Sequence, residues 1–400
     1  MLEIIGGSYY EYCYDPQWNE LYGSGLRAAV ALSQKKVPLR LHTYADTQTS
    51  EIIKVIAAHL GIELMCTNSA KAIEFKYQHP LATPTIYPSV AEIIKPSPIK
   101  ISTDQKILCY GMLEGNALIS GCEVVYDPQS PGSPISFWQN GSNAEKLVLV
   151  LNYREASTLA HTNDIQDIVS YLFDHEKMYT GIIKNGPEGA IAINHERKTS
   201  HIPAYITDRV WTIGSGDIFT SHFAHHYLIQ GIELEEAACL ASKETAWYAN
   251  NSTLPIPLSL DDWNPSTIIR KNYQQKKVYL AGPFFTMSDR WLINEFRDAL
   301  LSMNIMVFSP LHDVGIGTFE EVVAPDLKGL EESDIVLAIV NGLDSGTLFE
   351  IGYAKALGKP VIAFSEEDCE KSLTMLYGTN CKILNDFTTT IYHLIWQIYS

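Results

Sequence analysis

The sequence predicts an α/β protein built from two doubly wound, mostly parallel sheets. Three observations lead there. Short apolar strands alternate with helical patterns through most of the 400 residues, as parallel sheets covered on both faces require. The alternation stops once, in "NNSTLPIPLSLDDWNPSTIIRKNYQQKK" from Asn250 to Lys277, where three prolines and weak periodicity break the pattern. A second, shorter series of about 120 residues follows, and the whole chain exceeds the length of one average domain.

In the first series the expected strands are Leu2 to Ile5, Leu39 to Thr43, Ile107 to Tyr110, Glu123 to Tyr126, Leu147 to Leu151 and Gly181 to Lys184. A helical run from Leu234 to Ala249 closes it. The second series reads as strand Val278 to Ala281, a helix near Ser288 to Met303, strand Ile305 to Ser309, a helix near Ala324 to Glu332 and strand Ile335 to Val340. A further helix and the strand Val361 to Phe364 follow. The expected division is a first domain over 1–251, a linker or arm over 252–276 and a second domain over 277–400. No internal repeat or low-complexity tract interrupts either part.

Composition narrows the function classes. With 46% hydrophobic and 19% charged residues the chain has an ordinary globular make-up, and no apolar run approaches the roughly 20 residues of a membrane helix. The formal charge of −17, without clustered Lys and Arg, argues against a nucleic-acid polymer as partner. The opening "MLEIIGGSYY" lacks a basic n-region and a long apolar h-region, so it reads as a first strand and the expected location is cytoplasmic. Seven cysteines (Cys13, Cys66, Cys109, Cys122, Cys239, Cys369 and Cys381) form no CxxC pair, which fits reduced thiols. His222 and His226 in "HFAHH" stand four apart on a helical pattern, a spacing that can bind metal, but no carboxylate or thiol partner accompanies them in the sequence. The core-histidine reading is preferred there, and no metal ligand is assigned.

In an open parallel sheet, ligands gather beyond the carboxyl ends of the strands. Three segments near that rim of the second domain carry unusual residues. After the first strand comes "GPFF", where Gly282 permits close backbone approach and Phe284 and Phe285 can flank a flat base. After Ile335 to Val340 comes Asp344, and Glu350 lies six residues further on, inside the following helix. Asp326 in "PDLKGLEESD" sits on a helix whose start faces the same rim. An acidic residue near a helix start can serve only the helix dipole, worth about 0.3 to 1 kcal/mol. Three acids at the one rim where chemistry is expected favour a reactive site instead.

These residues resemble the nucleoside 2-deoxyribosyltransferase family. The match runs from Lys277 to about Asp386 through "YLAGPFF", "SPLHD" and "DLKGLEESDIVLAIVNGLDSGTLFEIGYAKALGKPV". The resemblance implies a flavodoxin-like or Rossmann-like domain that cleaves or transfers at an N-glycosidic bond without a cofactor. It implies Glu350 as nucleophile, Asp326 as proton donor to the base, and Asp344 as the residue holding sugar hydroxyls and the Glu350 geometry. Tyr279, Gly282, Phe284 and Phe285 would line the substrate site. Transferases carry an Asn-x-Met element that enters a neighbouring subunit's site; this chain has "SLTMLYG", with Thr374 in the Asn place. The departure favours hydrolysis or an altered substrate over base exchange, and the shared site implies a homo-oligomer.

In the first domain "VWTIGSGDIFTSHFAHHYLIQG" places Gly214, Ser215, Gly216 and Asp217 before an amphipathic helix. Backbone N–H groups at a helix start can hold an anion, and an adjacent carboxylate can take a proton from an attacking hydroxyl. The bland alternative is a helix cap made by Ser215 or Asp217. The segment resembles the GAGD signature of ribokinase-like sugar and nucleoside kinases. "YGSGLRAAVALS", "VVYDPQSP", "LNYREASTL" and "IIKNGPEGAIAI" fall in that family's order over about Met1 to Asn251. The resemblance implies ATP and magnesium, with Asp217 as general base, Gly214 to Gly216 as anion hole, and Asn152 and Glu155 as a water-mediated magnesium shell. Three departures stand out: only Glu11 or Asp15 is available as the early acidic residue, Arg27 stands where an Asn is expected, and Trp211 replaces the acid that opens the signature. Arg27 suggests an acceptor that already carries an anion.

The leading expectation is a bifunctional enzyme acting on a small nucleoside or nucleotide, the first domain phosphorylating or sensing it and the second releasing its base. A second reading makes the first domain a sensor controlling a nucleotide-depleting or NAD-depleting effector, as in a stress or phage-defence switch. A third is a noncatalytic nucleotide-binding assembly protein.

Overall fold

The structure is a computed structural model that describes residues 1–129, 132, 134–268, 276–366 and 372–399. The chain divides into two compact units, 1–269 and 270–400.

The first unit is organised on a ten-stranded sheet. Edge to edge it runs Thr199–Ile202, Ala190–Ile193, Thr180–Lys184, Asn143–Asn152, Ala117–Asp127, Lys106–Tyr110, Leu2–Ile5, Leu39–Ala45 and Glu63–Asn68, with Ile99–Thr103 also paired to Ala117–Asp127. The pairings are parallel except for the antiparallel edge formed by Ala190–Ile193 and Thr199–Ile202. Successive side chains of one strand enter different cores: Leu2 and Ile4 pack on one face, Ile5 on the other. Both faces are therefore covered, which is why these strands read as nearly continuous apolar runs.

The Gly23–Leu32 helix is buried at all ten positions. It reaches the sheet closely because Gly25 meets Gly6 backbone to backbone; a Cβ on Gly25 would stand 2.6 Å from the Gly6 carbonyl. Beside it lies the Ser215–Ala224 helix, which continues into a π-helical turn, His225–Ile229. A separate four-stranded sheet, Trp18–Leu21, Tyr10–Cys13, Glu74–Tyr77 and Thr85–Tyr87, carries Glu11 inward. Sequence reading did not find these strands, nor the antiparallel edge. They are three or four residues long, and "YEYC" and "WNEL" mix charge with aromatics instead of alternating cleanly.

Residues beyond the Leu234–Asn251 helix belong to this unit. Ile256 is fully buried against Trp211, Ile218 and Tyr248, and Thr267–Ile268 pairs with Ala204–Tyr205. The stretch expected as a linker over 252–276 thus supplies core up to residue 268; residues 269–275 lie outside the described residues.

The second unit has five parallel strands in the order Met306–Phe308, Lys277–Ala281, Ile335–Ile339, Val361–Phe364 and Lys382–Leu384. Its helices are Met287–Ser302, Phe319–Glu332, Ser345–Ala356, Thr374–Gly378 and Phe387–Tyr399. The strand order reverses between Lys277–Ala281 and Ile335–Ile339, the switch point at which open α/β sheets bind ligands. The Phe319–Glu332 helix begins five residues before its expected start at 324, behind a Thr318 and Glu321 capping box. Lys382–Leu384 and Phe387–Tyr399 were not anticipated; the strand has only three residues, too few for a periodic signal.

Among the described residues no helix is long and apolar enough to cross a membrane. The six described cysteines are free, and Cys369 lies outside the described residues.

Candidate functional site

The switch point of the second unit gathers the acids the sequence singled out. Tyr279 lies on Lys277–Ala281, and its hydroxyl donates to Glu350 Oε1 at 2.5 Å. Its ring stacks on Phe308 with centroids 5.5 Å apart. Phe308 in turn presses on Gly329, where a Cβ would stand 2.3 Å from the ring. Gly329 lets the Phe319–Glu332 helix approach this closely, and Asp326, three residues earlier, shares the same helical face. Asp326 Oδ1 is buried and lacks a hydrogen-bond partner among the described residues.

Beyond Ile335–Ile339 the backbone reverses through Gly342 and Leu343, both at positive φ (70° and 53°). Asp344 then caps the Ser345–Ala356 helix, its Oδ2 accepting from Thr347 N at 2.8 Å and Thr347 Oγ1 at 3.0 Å. Asp344 therefore has a structural task as well as a place at the rim. Burial pushes the Glu350 carboxyl up to about 7; the Tyr279 hydrogen bond works against the rise, and the charges of Asp326 and Asp344 add to it. Burial lifts Asp326 to about 6. A site of three repelling carboxyls is poised to receive positive charge, as develops on a sugar ring losing its base.

The remaining residues are placed less uniformly. Gly282 follows Tyr279's strand directly, and a Cβ there would meet Ile293 Cδ1 at 2.9 Å, so its smallness also serves helix packing. Phe284 and Phe285 lie with ring centroids 5.4 Å apart, Phe284 half-buried and Phe285 exposed. Thr374 opens the short Thr374–Gly378 helix and is exposed. Phe308 and Gly329, which set the distance between Asp326 and Tyr279, carried no recognisable signal in the sequence.

In the first unit Gly214 has φ 77° and precedes the Ser215–Ala224 helix, which has no side-chain cap. Ser215 Oγ donates instead to the Thr212 carbonyl at 2.9 Å. The capping reading of this signature therefore does not describe it. Against Gly214 lies Arg27: a Cβ on Gly214 would stand 2.1 Å from Arg27 Nε. Arg27 is fully buried and donates to Asp217 Oδ2 at 2.7 Å and to both carboxylate oxygens of Glu11. The Gln129 amide donates to Asp217 Oδ1. Arg27 was read as a receptor for an anionic acceptor; the structure corrects this, because Glu11 and Asp217 already neutralise it. Trp211 lies in the core against Trp18, with centroids 5.1 Å apart.

Lys184 Nζ pairs with Asp127 Oδ2 at 2.6 Å and stands 3.5 Å from where a Gly216 Cβ would be. Asp127 thus already neutralises Lys184 beside the uncapped helix start. Asn152 and Glu155 fit a magnesium shell poorly. They form a capping box, each accepting from the other's backbone N–H at 2.8 Å, and Glu155 is buried. Among the described residues no group of three or more His, Cys, Asp or Glu is arranged to hold a metal, and His226 is taken up by Glu244 at 2.8 Å.

Fold and sites define a two-part α/β protein: a large sheet whose Ser215–Ala224 helix starts without a side-chain cap, and a smaller one with an acid cluster at its switch point. Comparison with known families agrees. Residues 143–251 match the family model for pfkB family carbohydrate kinases, and residues 278–381 match that for nucleoside 2-deoxyribosyltransferases. The chain thus joins a segment similar to pfkB family carbohydrate kinases to one similar to nucleoside 2-deoxyribosyltransferases, each match covering about a quarter of its length. A protein of Ureaplasma parvum serovar 3, described only as uncharacterized, is 25% identical over 154 residues, spanning 30% of this chain and 96% of its own. Among solved structures, the nucleoside kinase of Methanocaldococcus jannaschii, an archaeal ribokinase-family member, is 14% identical with a TM-score of 0.48, covering 64% of this chain and 94% of its own. Salmonella enterica aminoimidazole riboside kinase, complexed with aminoimidazole riboside and an ATP analog, is 15% identical with a TM-score of 0.49, covering 65% and 97%.

Proposed function

We propose that the second domain cleaves the N-glycosidic bond of a nucleoside or nucleotide, with water as the final acceptor. The observation that carries this is the hydrogen-bonded Tyr279 and Glu350 pair pressed by Asp326 and Asp344. With Tyr279 on Oε1, the other Glu350 oxygen attacks the anomeric carbon. The carbon–nitrogen bond breaks, its electron pair leaves with the base, and the base takes the Asp326 proton. Water then displaces Glu350 from the glycosyl ester, giving its proton to the Asp326 carboxylate. Thr374 in place of the transferases' Asn favours water over a second base as acceptor. Exposed Phe285, Met287, Phe319, Phe349 and Met375 on the loops and helices that follow the strands support self-association, the apolar surface being covered by a second copy of the chain; light scattering giving a monomer mass would remove that part. The test of the reaction is chromatographic: base release from nucleosides, nucleoside monophosphates and NAD by wild type and by Glu350→Ala.

A second reading concerns the first domain, and the Arg27 and Asp217 pair favours it. Arg27 and Gln129 already engage both oxygens of the Asp217 carboxylate, which leaves it a structural partner in this arrangement. The first domain then binds a nucleoside or sugar without phosphorylating it, and its occupancy governs base release by the second. ATP turnover in the presence of candidate nucleosides separates the cases: formation of ADP would mark an active kinase.

A further inference from the structure

A second pocket opens in the first unit, at the far ends of the helices that carry Arg27 and Asp217. Lys35 stands three residues past the Gly23–Leu32 helix, and His225 follows Asp217 by eight positions, about 12 Å along its helix from the Arg27 and Asp217 pair. Its volume is about 400 Å³, and its walls include Lys35, Lys36, His225, Lys243, Glu244 and Leu258.

Its polar groups are unequally satisfied. Lys35 and Glu244 neutralise each other at 2.5 Å, and Glu244 also binds His226. Lys243 Nζ anchors the loop through the Leu260 carbonyl at 2.9 Å. Lys36 makes no ion pair among the described residues, so Lys36 and Lys243 face only the exposed Asp261 as countercharge. The π-helical turn sets His225 and His226 side by side, with ring centroids 5.3 Å apart. Such widened turns occur mostly as local insertions at functional sites. His225 is 2% exposed, yet its Nδ1 has no hydrogen-bond partner among the described residues. Burial holds its ring neutral, so it adds no charge to the pocket. Leu240, Leu258 and Leu260 supply an apolar wall.

We propose that this pocket is a binding site for a nucleoside monophosphate, distinct from the Asp217 cleft. Lys36 and Lys243 receive the phosphate, and the three leucines take the base. A lone anion would leave most of the volume and the apolar wall unused, whereas a mononucleotide suits a pocket of this size and mixed lining.

The test is protection of individual lysines from an amine-reactive reagent, read by mass spectrometry on the full chain. A Glu350→Gln background keeps nucleotides intact whether or not the second domain acts on them. The probes are AMP, GMP, CMP and UMP, with adenosine and inorganic phosphate as controls. At least one monophosphate should slow modification of Lys36 and Lys243 several-fold at millimolar concentration while leaving Lys54, an exposed lysine elsewhere, unchanged. Adenosine and inorganic phosphate should protect far less. Leu258→Asp, at a position 55% exposed, should abolish protection without lowering the melting temperature. Unchanged rates with all four monophosphates would overturn the assignment. So would equal protection by adenosine or by phosphate alone, or protection that survives in Leu258→Asp.

Discussion

Glu350 holds a proton more tightly than an ordinary glutamate because burial and two neighbouring acids disfavour its charge, and one tyrosine limits the effect. A carboxyl raised in the folded state binds more protons than the same group unfolded, so stability is full below its unfolded value and declines as pH rises toward about 7. Replacing it with neutral Gln should therefore stabilise the protein at pH 8, by about 1 to 3 kcal/mol, and change little near pH 4. Thermal melts of Glu350→Gln at both pH values check this, and an equal shift at both would contradict it. Tyr279→Phe removes the bond that favours the ionised form. Because Glu350 is the higher of the two acids, the alkaline limb in kcat/KM should move to higher pH by about one unit and the maximum should fall, as expected for the loss of a charge-assisted hydrogen bond. Because Asp326 and Glu350 titrate near about 6 and about 7, the wild-type profile should be a narrow bell between those values, belonging to the pair. The acids themselves were legible in the sequence, since Asp344 and Glu350 follow a strand that reads plainly and Asp326 lies on the helix just before it. The Tyr279 hydroxyl's partner was not, because 71 positions separate the two residues.

Helix placement decides how these residues meet. The Phe319–Glu332 helix lies against Phe308 only because position 329 has no side chain. Gly329→Ala must push the helix or the ring aside, costing about 1 to 3 kcal/mol and moving Asp326 away from the base. Base release should then fall by at least about tenfold, since proton donation alone contributes about 10² to 10⁴. A variant with wild-type turnover and melting temperature would show that the contact does not position Asp326. Gly214→Ala meets Arg27 in the same way and adds an unfavourable φ, so the first unit should lose about 2 kcal/mol or more. Long strands and helices were readable because their apolar period repeats several times. The four-stranded sheet was not: it contributes Glu11 to Arg27 through a four-residue strand with one charge at its centre. The Arg27 and Asp217 pair was equally hidden, joining positions 190 apart.

At the scale of the whole molecule, one chain joins a large α/β unit, part of which is similar to pfkB family carbohydrate kinases, to a smaller one with an acid cluster at its switch point. In the function proposed above the second is the chemical centre and the first its regulator, with Asp217 paired to Arg27 instead of serving as a base. The most direct test of that central claim is base release measured by chromatography from nucleosides, nucleoside monophosphates and NAD. Wild type and Glu350→Ala are compared, each with and without ATP and magnesium. The account predicts a released base with wild type, none above background with Glu350→Ala, and no ADP formed when ATP is present. Base release that persists without the Glu350 carboxylate, or no release from any substrate by the wild type, would contradict it.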